Sequence, residues 1–590
     1  MVDRVLILDG YDDEPAGLGV PPYLDVYARY IAGAVWYLDR SVDVRYVTID
    51  WARGNWNEFL RLARESRVLV VLAGIVTPGK YLGGEPISLR EIELVGAVVE
   101  GPIKVLGGPV ARFGYGAAGG TIAIPRSRFR RYYDIVVTGD VDLVVHELVR
   151  NNYQASNVSP GLVHGDYRLI NEFAVLGARI VTQHPNYGKN LIVELETYRS
   201  CPRYVSGGCS FCATVRYGAV KYRDAEAIVK EVEALYRAGV RHFRLGRQAD
   251  FYTYMALDTG KLDFPRPNPG AIEGLLRGIR NVAPGLETLH IDNVNPGTIY
   301  HWPRESIEVT RILMKYHTPG DVAAMGIETA DPRVVRMNNL KVMPDEAFFA
   351  VKTISELGRV RGENGMPHLL PGINFVIGLP GETRETFRLN IEFLRKLLEN
   401  DVWVRRVNIR QVLVLPPTPL WEVASDVMAL LKRHEEYFRA FKYWVRRYFD
   451  HEMLRRVVPR GTVLRRAFTE AHYGGGTYAR QVGSYPLLIY IPARVELNKW
   501  IDIAVVDHGF RSVIGIPHPL NPNTAPKKLL RLVPGMSEDA LNKIMARRPF
   551  KSNEELKQIL NEEAMKYLAV NDEETQQTKP NKTLSTSTSN

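Results

Sequence analysis

A chain of 590 residues is too long for one hydrophobic core, so several domains are expected. Its 45% hydrophobic content suits ordinary globular packing, and the absence of a signal peptide or transmembrane run argues against a secreted or membrane-spanning protein. The formal charge of +10 is modest for this length and fits either an anionic partner such as nucleic acid or a solvated basic surface.

The first 150 residues alternate strand and helix signals. Apolar runs at 4–9, 44–49, 68–72 and 103–106 are separated by helical patterns at 27–37, 56–64 and 89–99. Such runs predict a parallel, doubly wound, Rossmann-like sheet covered on both faces. Gly107-Gly108-Pro109 and the run 133–139 read as turns and a last strand of that domain. Residues 151–190 read as a linker.

All three cysteines of the chain fall in one stretch, Cys201-Pro-Arg-Tyr-Val-Ser-Gly-Gly-Cys209-Ser-Phe-Cys212, after the strand-like run 191–198. Three thiolates are one fewer than the four that hold an electron-transfer iron–sulfur cluster, which leaves one iron open for an external ligand. Zinc held by three Cys and a His is the alternative, with His184 and His242 as candidates. An odd number of cysteines and no leader point to a reducing, cytoplasmic compartment.

From 191 to 420 the strand–helix alternation resumes. Six strand signals, five of them followed by helical stretches, predict a partial (β/α)6 barrel, which gathers its functional groups at the carboxyl ends of the strands. Those ends carry Gly246-Arg247-Gln248, Asp292-Asn293, Met325-Gly-Ile-Glu328 and Gly378-Leu-Pro-Gly-Glu382-Thr383. Glu194, Arg247, Asp250, Asp292 and Asn293 are unranked candidates for the same cavity, and Glu382 with Thr383 is expected to cap the following helix.

Residues 421–470 form a helical extension in which Lys and Arg interleave with Tyr, Phe and Trp, a pattern suited to packing on the barrel and also to RNA. Short β-rich runs predict a small domain over 471–525. Residues 526–570, with Pro534-Gly535 between two helical patterns, read as a helix-hairpin-helix, although Ser537 stands where a second glycine is usual and the following Glu538 and Asp539 would repel a phosphate. The tail 571–590 should be disordered.

The cysteine stretch resembles the ligand loop of the radical S-adenosylmethionine (SAM) superfamily, C-x3-C-x2-C, with the second gap and aromatic Phe211 kept and the first gap widened to seven residues. Gly207 and Gly208 can supply the positive φ that folds the longer loop back. The resemblance covers the barrel segment and implies a [4Fe–4S] cluster on Cys201, Cys209 and Cys212, with SAM bound by Phe211, Gly246, Arg247, Gln248, Glu328 and Gly378. It implies reductive cleavage of SAM and hydrogen abstraction from a substrate, by an enzyme needing an unidentified reductant protein. The first domain is similar to the cobalamin-binding-type domains of such enzymes, but the stretch from Asp9 to Gly19 lacks the His of their cobalt-ligand loop, so cobalamin is disfavoured. The whole chain resembles an archaeal group of Fe–S oxidoreductases with a C-terminal helix-hairpin-helix. RNA or another nucleic acid is the first expectation for the substrate; a small molecule or lipid, or a non-catalytic Fe–S nucleic-acid-binding protein, are the alternatives. Methylthiolation is disfavoured, since it needs a second set of three cysteines.

Overall fold

The computed structural model describes residues 3–11, 22–74, 82, 84–116 and 119–570. Residues 12–19 of the stretch compared with a cobalt-ligand loop, and the tail 571–590, lie outside the described residues. The chain divides into two compact units, Met1–Val457 with Val482–Leu487, and Val458–Gln481 with Leu488–Asn590.

The first unit begins with five parallel strands, Arg4–Asp9, Asp43–Thr48, Val68–Leu72, Ile103–Gly107 and Ile135–Val136, in the order second, first, third, fourth, fifth. This is the flavodoxin-like doubly wound order. Val68–Leu72 is buried at every residue, as a central strand covered on both faces must be. Residues 151–190 are not a bare linker. Arg168–Gly177 is a helix whose Ile170, Phe173, Ala174 and Gly177 are buried, an i, i+3, i+4, i+7 stripe that packs on the helix Val26–Leu38.

Six further parallel strands follow: Ile192–Glu196, His242–Gly246, Thr288–Ile291, Asp321–Glu328, Leu369–Ile377 and Arg406–Gln411. They make two three-stranded arcs joined by one bridge, Asn293 to Ala324. Short strands from the N-terminal region close both lateral edges. Tyr23–Leu24 pairs with the first barrel strand, and Thr121–Ile122 pairs with Leu413–Val414 just beyond the sixth. Part of each lateral margin of the open barrel is thereby covered.

The helical extension ends at Val457. Its Phe441, Val445 and Phe449 are buried, with Phe441 edge-on to Phe375 and Phe387, while Tyr443 and Tyr448 face outward. The stretch from 463 to 470, expected to be helical, is part of a strand, Val463–Tyr473, because Leu464, Ala467 and Phe468 point into a second core and Arg465 and Arg466 point out. That strand joins Gly476–Arg480, Leu488–Ile491, Trp500–His508 and Ser512–Pro517 in a closed five-stranded barrel, the centre of the second unit. Short helices Lys527–Leu530, Glu538–Arg547, Asn553–Lys557 and Glu562–Met565 complete it. No helix among the described residues is long and apolar enough to cross a membrane.

Candidate active site

The seven-residue gap between Cys201 and Cys209 is taken up by one tight helical turn. Pro202–Ser206 forms a 3₁₀ turn, and Gly207 (φ 82°) and Gly208 (φ 71°) then reverse the chain in the left-handed region that side chains resist. The turn is tied down from the far side of the barrel. Asn339 Nδ2 donates to the carbonyls of Ser206 (3.1 Å) and Gly208 (2.9 Å), and Arg203 donates back to Asn339 O and Oδ1 at 2.9 and 3.0 Å. Asn338 links Ser210 to the fifth-strand motif: it accepts from Ser210 Oγ at 2.8 Å and donates to Pro380 O at 2.8 Å. The pair Asn338-Asn339 is therefore a clasp for the cysteine loop.

All three cysteines are free, with Cys209 buried and Cys201 and Cys212 half-buried. They lie close enough to oppose one another's ionisation. Burial first, then the neighbouring Cys212 and Cys209, push Cys201 up to about 12. Burial also raises Cys209, an effect that Lys341 and Arg203 partly offset, and Arg203 Nη1 stands 3.2 Å from its sulfur. Among the described residues no three His, Cys, Asp or Glu groups close on a single metal ion. A cubane carries its irons at separate corners, so its thiolates stand further apart than the ligands of one tetrahedral zinc. The two histidines weighed for zinc are used elsewhere. His184 accepts from Asn186 N–H and packs on Tyr46, and His242 bonds Thr288 Oγ1 at 2.9 Å.

Glu328 ends the fourth barrel strand with φ 68° and accepts from Lys341 Nζ at 2.6 Å. Lys341 is the group that joins Glu328 to the thiols: burial opposes its charge, yet Glu328, Cys209 and Cys212 hold it above the usual lysine range. Asp250, pushed up to about 6 by burial and held down in part by Thr298 and backbone N–H groups, also feels Lys341.

The other sequence candidates scatter. Gly246 closes the second strand with the Glu194 carboxylate over its missing side chain. Arg247 (φ 67°) donates to Tyr27 Oη at 2.6 Å and faces a cavity shared with Arg112, Arg199, Asp140, Tyr217, Gly108 and Gly139, at the edge of the five-stranded sheet. Gln248 is sealed inside, accepting from Thr197 Oγ1 at 3.0 Å. Phe211 packs with Val334, Leu340, Leu379 and Val412 beside Cys209 and Cys212. Gly378 (φ 96°) donates to Glu382 at 2.9 Å, and a side chain there would collide with Leu431. Glu382 does not cap the next helix as expected; it accepts from Gly378 N–H and meets His434 Nδ1 at 2.9 Å, leaving Thr383 at the N-cap position. Of the unranked carboxylates, Asp292 is held by Arg244 Nη2 and Tyr485 Oη, each at 2.7 Å.

A family model described as the radical SAM superfamily matches residues 195–394. An uncharacterized protein of Methanocaldococcus jannaschii is 42% identical over 532 residues, 87% of this chain and 93% of its own. The chain belongs to the radical SAM superfamily. A tRNA-2-methylthio-N(6)-dimethylallyladenosine synthase of Ehrlichia canis is 23% identical over 306 residues, 50% of this chain and 59% of that one. A solved radical S-adenosylmethionine methyltransferase from Kitasatospora setae aligns at 13% identity with a TM-score of 0.48, over 72% of this chain and 76% of that one.

For a radical SAM enzyme the donor set fits: three mutually repelling thiols on one loop, beside a buried ammonium, suit a multi-iron centre whose positive charge stabilises thiolates. Sequence reasoning missed Lys341, Arg203 and the clasp of Asn338 and Asn339. The only signal was Met337-Asn-Asn after the fourth strand, which names the residue types without their partners.

Proposed function

We propose that Cys201, Cys209 and Cys212 hold one [4Fe–4S] cluster, with SAM beside Phe211 and Glu328 near the strand ends that Gly246 and Gly378 close; Gln248, sealed inside, and Arg247, which faces another cavity, are not assigned to it. When bound, the two groups supply one-electron reductive cleavage and hydrogen-atom abstraction. What supports this reading is that the three thiols lie within electrostatic reach of one another and of the Lys341–Glu328 pair. Arg203 and Asn339 fix the loop, Lys341 neutralises Glu328 beside the sulfurs, and Phe211 keeps an apolar wall against water.

RNA is the proposed substrate class. Support comes from the +10 charge, from a partial relative whose name includes a tRNA product, and from the closed small barrel. The helices Lys527–Leu530 and Glu538–Arg547, joined through Pro534 and Gly535 (φ 79°), support a helix-hairpin-helix over 526–570 and thus the archaeal Fe–S oxidoreductase group. Residues 1–150 and 191–420 are assigned as scaffold and catalytic barrel of a cytoplasmic enzyme with an unidentified reductant. No cobalamin is proposed, because the stretch from Asp9 to Gly19 has no His. A small molecule is the second reading, favoured by the polar cavity that Arg112, Asp140, Arg199, Tyr217 and Arg247 line.

The test is anaerobic reconstitution followed by iron and sulfide determination and measurement of 5′-deoxyadenosine formed from SAM, with and without added RNA. Four irons per chain and RNA-stimulated formation are expected. Bound zinc without iron would refute the cluster assignment, and stimulation by phosphorylated metabolites in place of RNA would favour the second reading.

A further inference from the structure

The small barrel of the second unit runs first, second, third, fifth, fourth strand, with the third and fifth parallel. This is the strand arrangement of the OB-fold, in which the face of the second and third strands takes up oligonucleotides. Here that face carries a run of tyrosines. Tyr478 of the second strand stands directly opposite Tyr490 of the third, ring centroids 5.7 Å apart and edge-on. Tyr473, 56% exposed, stacks on Tyr478 at 5.1 Å and 17°.

The rings are not needed by the core, which Ala479, Ile489 and Ile491 fill from the alternate positions of the same strands. They are nevertheless supported. Gly476 lies under the Tyr490 ring, where any side chain would overlap it, and Tyr490 Oη donates to Gly474 O at 3.3 Å. The hairpin tip, Gly474-Gly475, faces open space. Most cations of the barrel are consumed by partners: Arg460 by Asp507 at 2.6 Å, Arg465 by Asp502 at 3.0 Å, Arg480 by Glu470 at 2.7 Å and Lys499 by Glu496 at 3.2 Å. Arg494 is exposed, and its place is at the tyrosine end. Its neighbours are pinned there, Ala493 O and Val495 N by Thr477 Oγ1 at 2.9 and 3.1 Å, and Val495 O by His472 Nε2 at 2.9 Å.

We propose that Tyr473, Tyr478 and Tyr490, flanked by Arg494, form a binding face for single-stranded RNA. Bases stack on the rings without regard to sequence, and the guanidinium meets a phosphate. The inference rests on the RNA reading above and places the strand on the second unit, whereas the thiols belong to the first.

The test uses the full-length protein and a fluorescein-labelled U12 RNA in anisotropy titrations over a salt series. Tyr473→Ala and Tyr478→Ala should each weaken binding about 5- to 150-fold, the effect of losing one base–ring stack. Tyr478→Phe should bind as the unaltered protein does, and Arg494→Gln should lower the slope of log affinity against log salt by about 0.7. Melting temperature and RNA-free 5′-deoxyadenosine formation should not change in any of the four. Undiminished binding by both alanine variants would overturn the site while leaving RNA as substrate elsewhere. Binding of dT12 but not U12 would overturn the assignment to RNA. No binding by the unaltered protein would overturn the site and the RNA reading together, while RNA-free 5′-deoxyadenosine formation would still report on the cluster assignment.

Discussion

At the carboxyl edge of the five-stranded sheet, Asp9 accepts from Tyr46 Oη at 2.6 Å and Tyr11 N–H at 2.7 Å, and Asp140 accepts from Arg199 Nη1 at 3.0 Å and His164 N–H at 2.8 Å. At the carboxyl edge of the barrel, burial and then the other two thiols raise Cys201 to about 12, while Cys209 also faces Lys341 and Arg203. Both edges are parallel-strand ends with glycine turns, the usual place for ligands in such folds. The difference lies in the donors at hand. Asp9 has two, which pull against the burial that still raises it to about 6, whereas thiols that hinder one another's ionisation are stabilised by added positive charge. Sites of the second kind are the better candidates for chemistry.

The comparison breaks most sharply at the thiols. Replacing Cys201, Cys209 or Cys212 by Ala should abolish 5′-deoxyadenosine formation and strip most of the iron, because each removes a ligand; Cys209 also lies in an apolar cluster, so its replacement should lower melting the most of the three. Full iron in any of the three would remove that cysteine from the ligand set. The next largest effect is expected at Lys341. Lys341→Met leaves Glu328 buried without its partner, a loss of about 3–5 kcal/mol, and the double variant with Glu328→Gln should recover part of it. Chemical denaturation of Lys341→Met, Glu328→Gln and the double variant measures the coupling, and additive losses would show that the pair does not interact.

Asn339→Ala tests whether the clasp, not the thiols alone, shapes the loop. It leaves the carbonyls of Ser206 and Gly208 and one Arg203 donor without their partner, so a loss of about 1–3 kcal/mol and slower iron incorporation are expected. Iron uptake at the unaltered rate would assign the clasp to stability only.

The smallest effect sharpens the other side of the comparison. His164 Nε2 lies 2.6 Å from Asp142 Oδ2 in the N-terminal domain. Burial works against both charges, but the ion pair prevails: Asp142 is held below its usual value and His164 above its own. The Asp142 contribution is present above the unfolded carboxylate pKa of about 3.9 and fades as pH falls through the lowered folded value. The His164 contribution is present below the unfolded imidazole pKa of about 6.5 and fades as pH rises through the raised folded value. The pair should stabilise most between about pH 4 and 6.5, so the melting difference between the unaltered protein and His164→Gln should be largest near pH 5 and shrink towards pH 9. A difference that does not vary with pH would mean the histidine is neutral throughout.

Much of this molecule was legible in local pattern. Unbroken apolar runs located the five-stranded sheet, strand–helix alternation located six barrel strands, and clustered cysteines named the metal chemistry, because periodicity and spacing are short-range properties of the chain. The helix Arg168–Gly177 was equally legible in its apolar stripe, although the segment reads at first as a linker. Partners of buried polar groups were not legible. Arg203 and Asn339 lie 136 residues apart, Ser210 and Asn338 128, and Asp292 and Tyr485 193, and nothing within a window of twenty residues encodes those meetings. Gly378 shows the same division: its motif marks the fifth strand, but only the packed structure reveals that the space beside it belongs to Leu431. Sequence alone indicated the superfamily, the clustering of the three thiols and most of the element types. The tertiary structure decided which charges neutralise which, since burial sets the strength of an interaction and burial is a property of the whole fold.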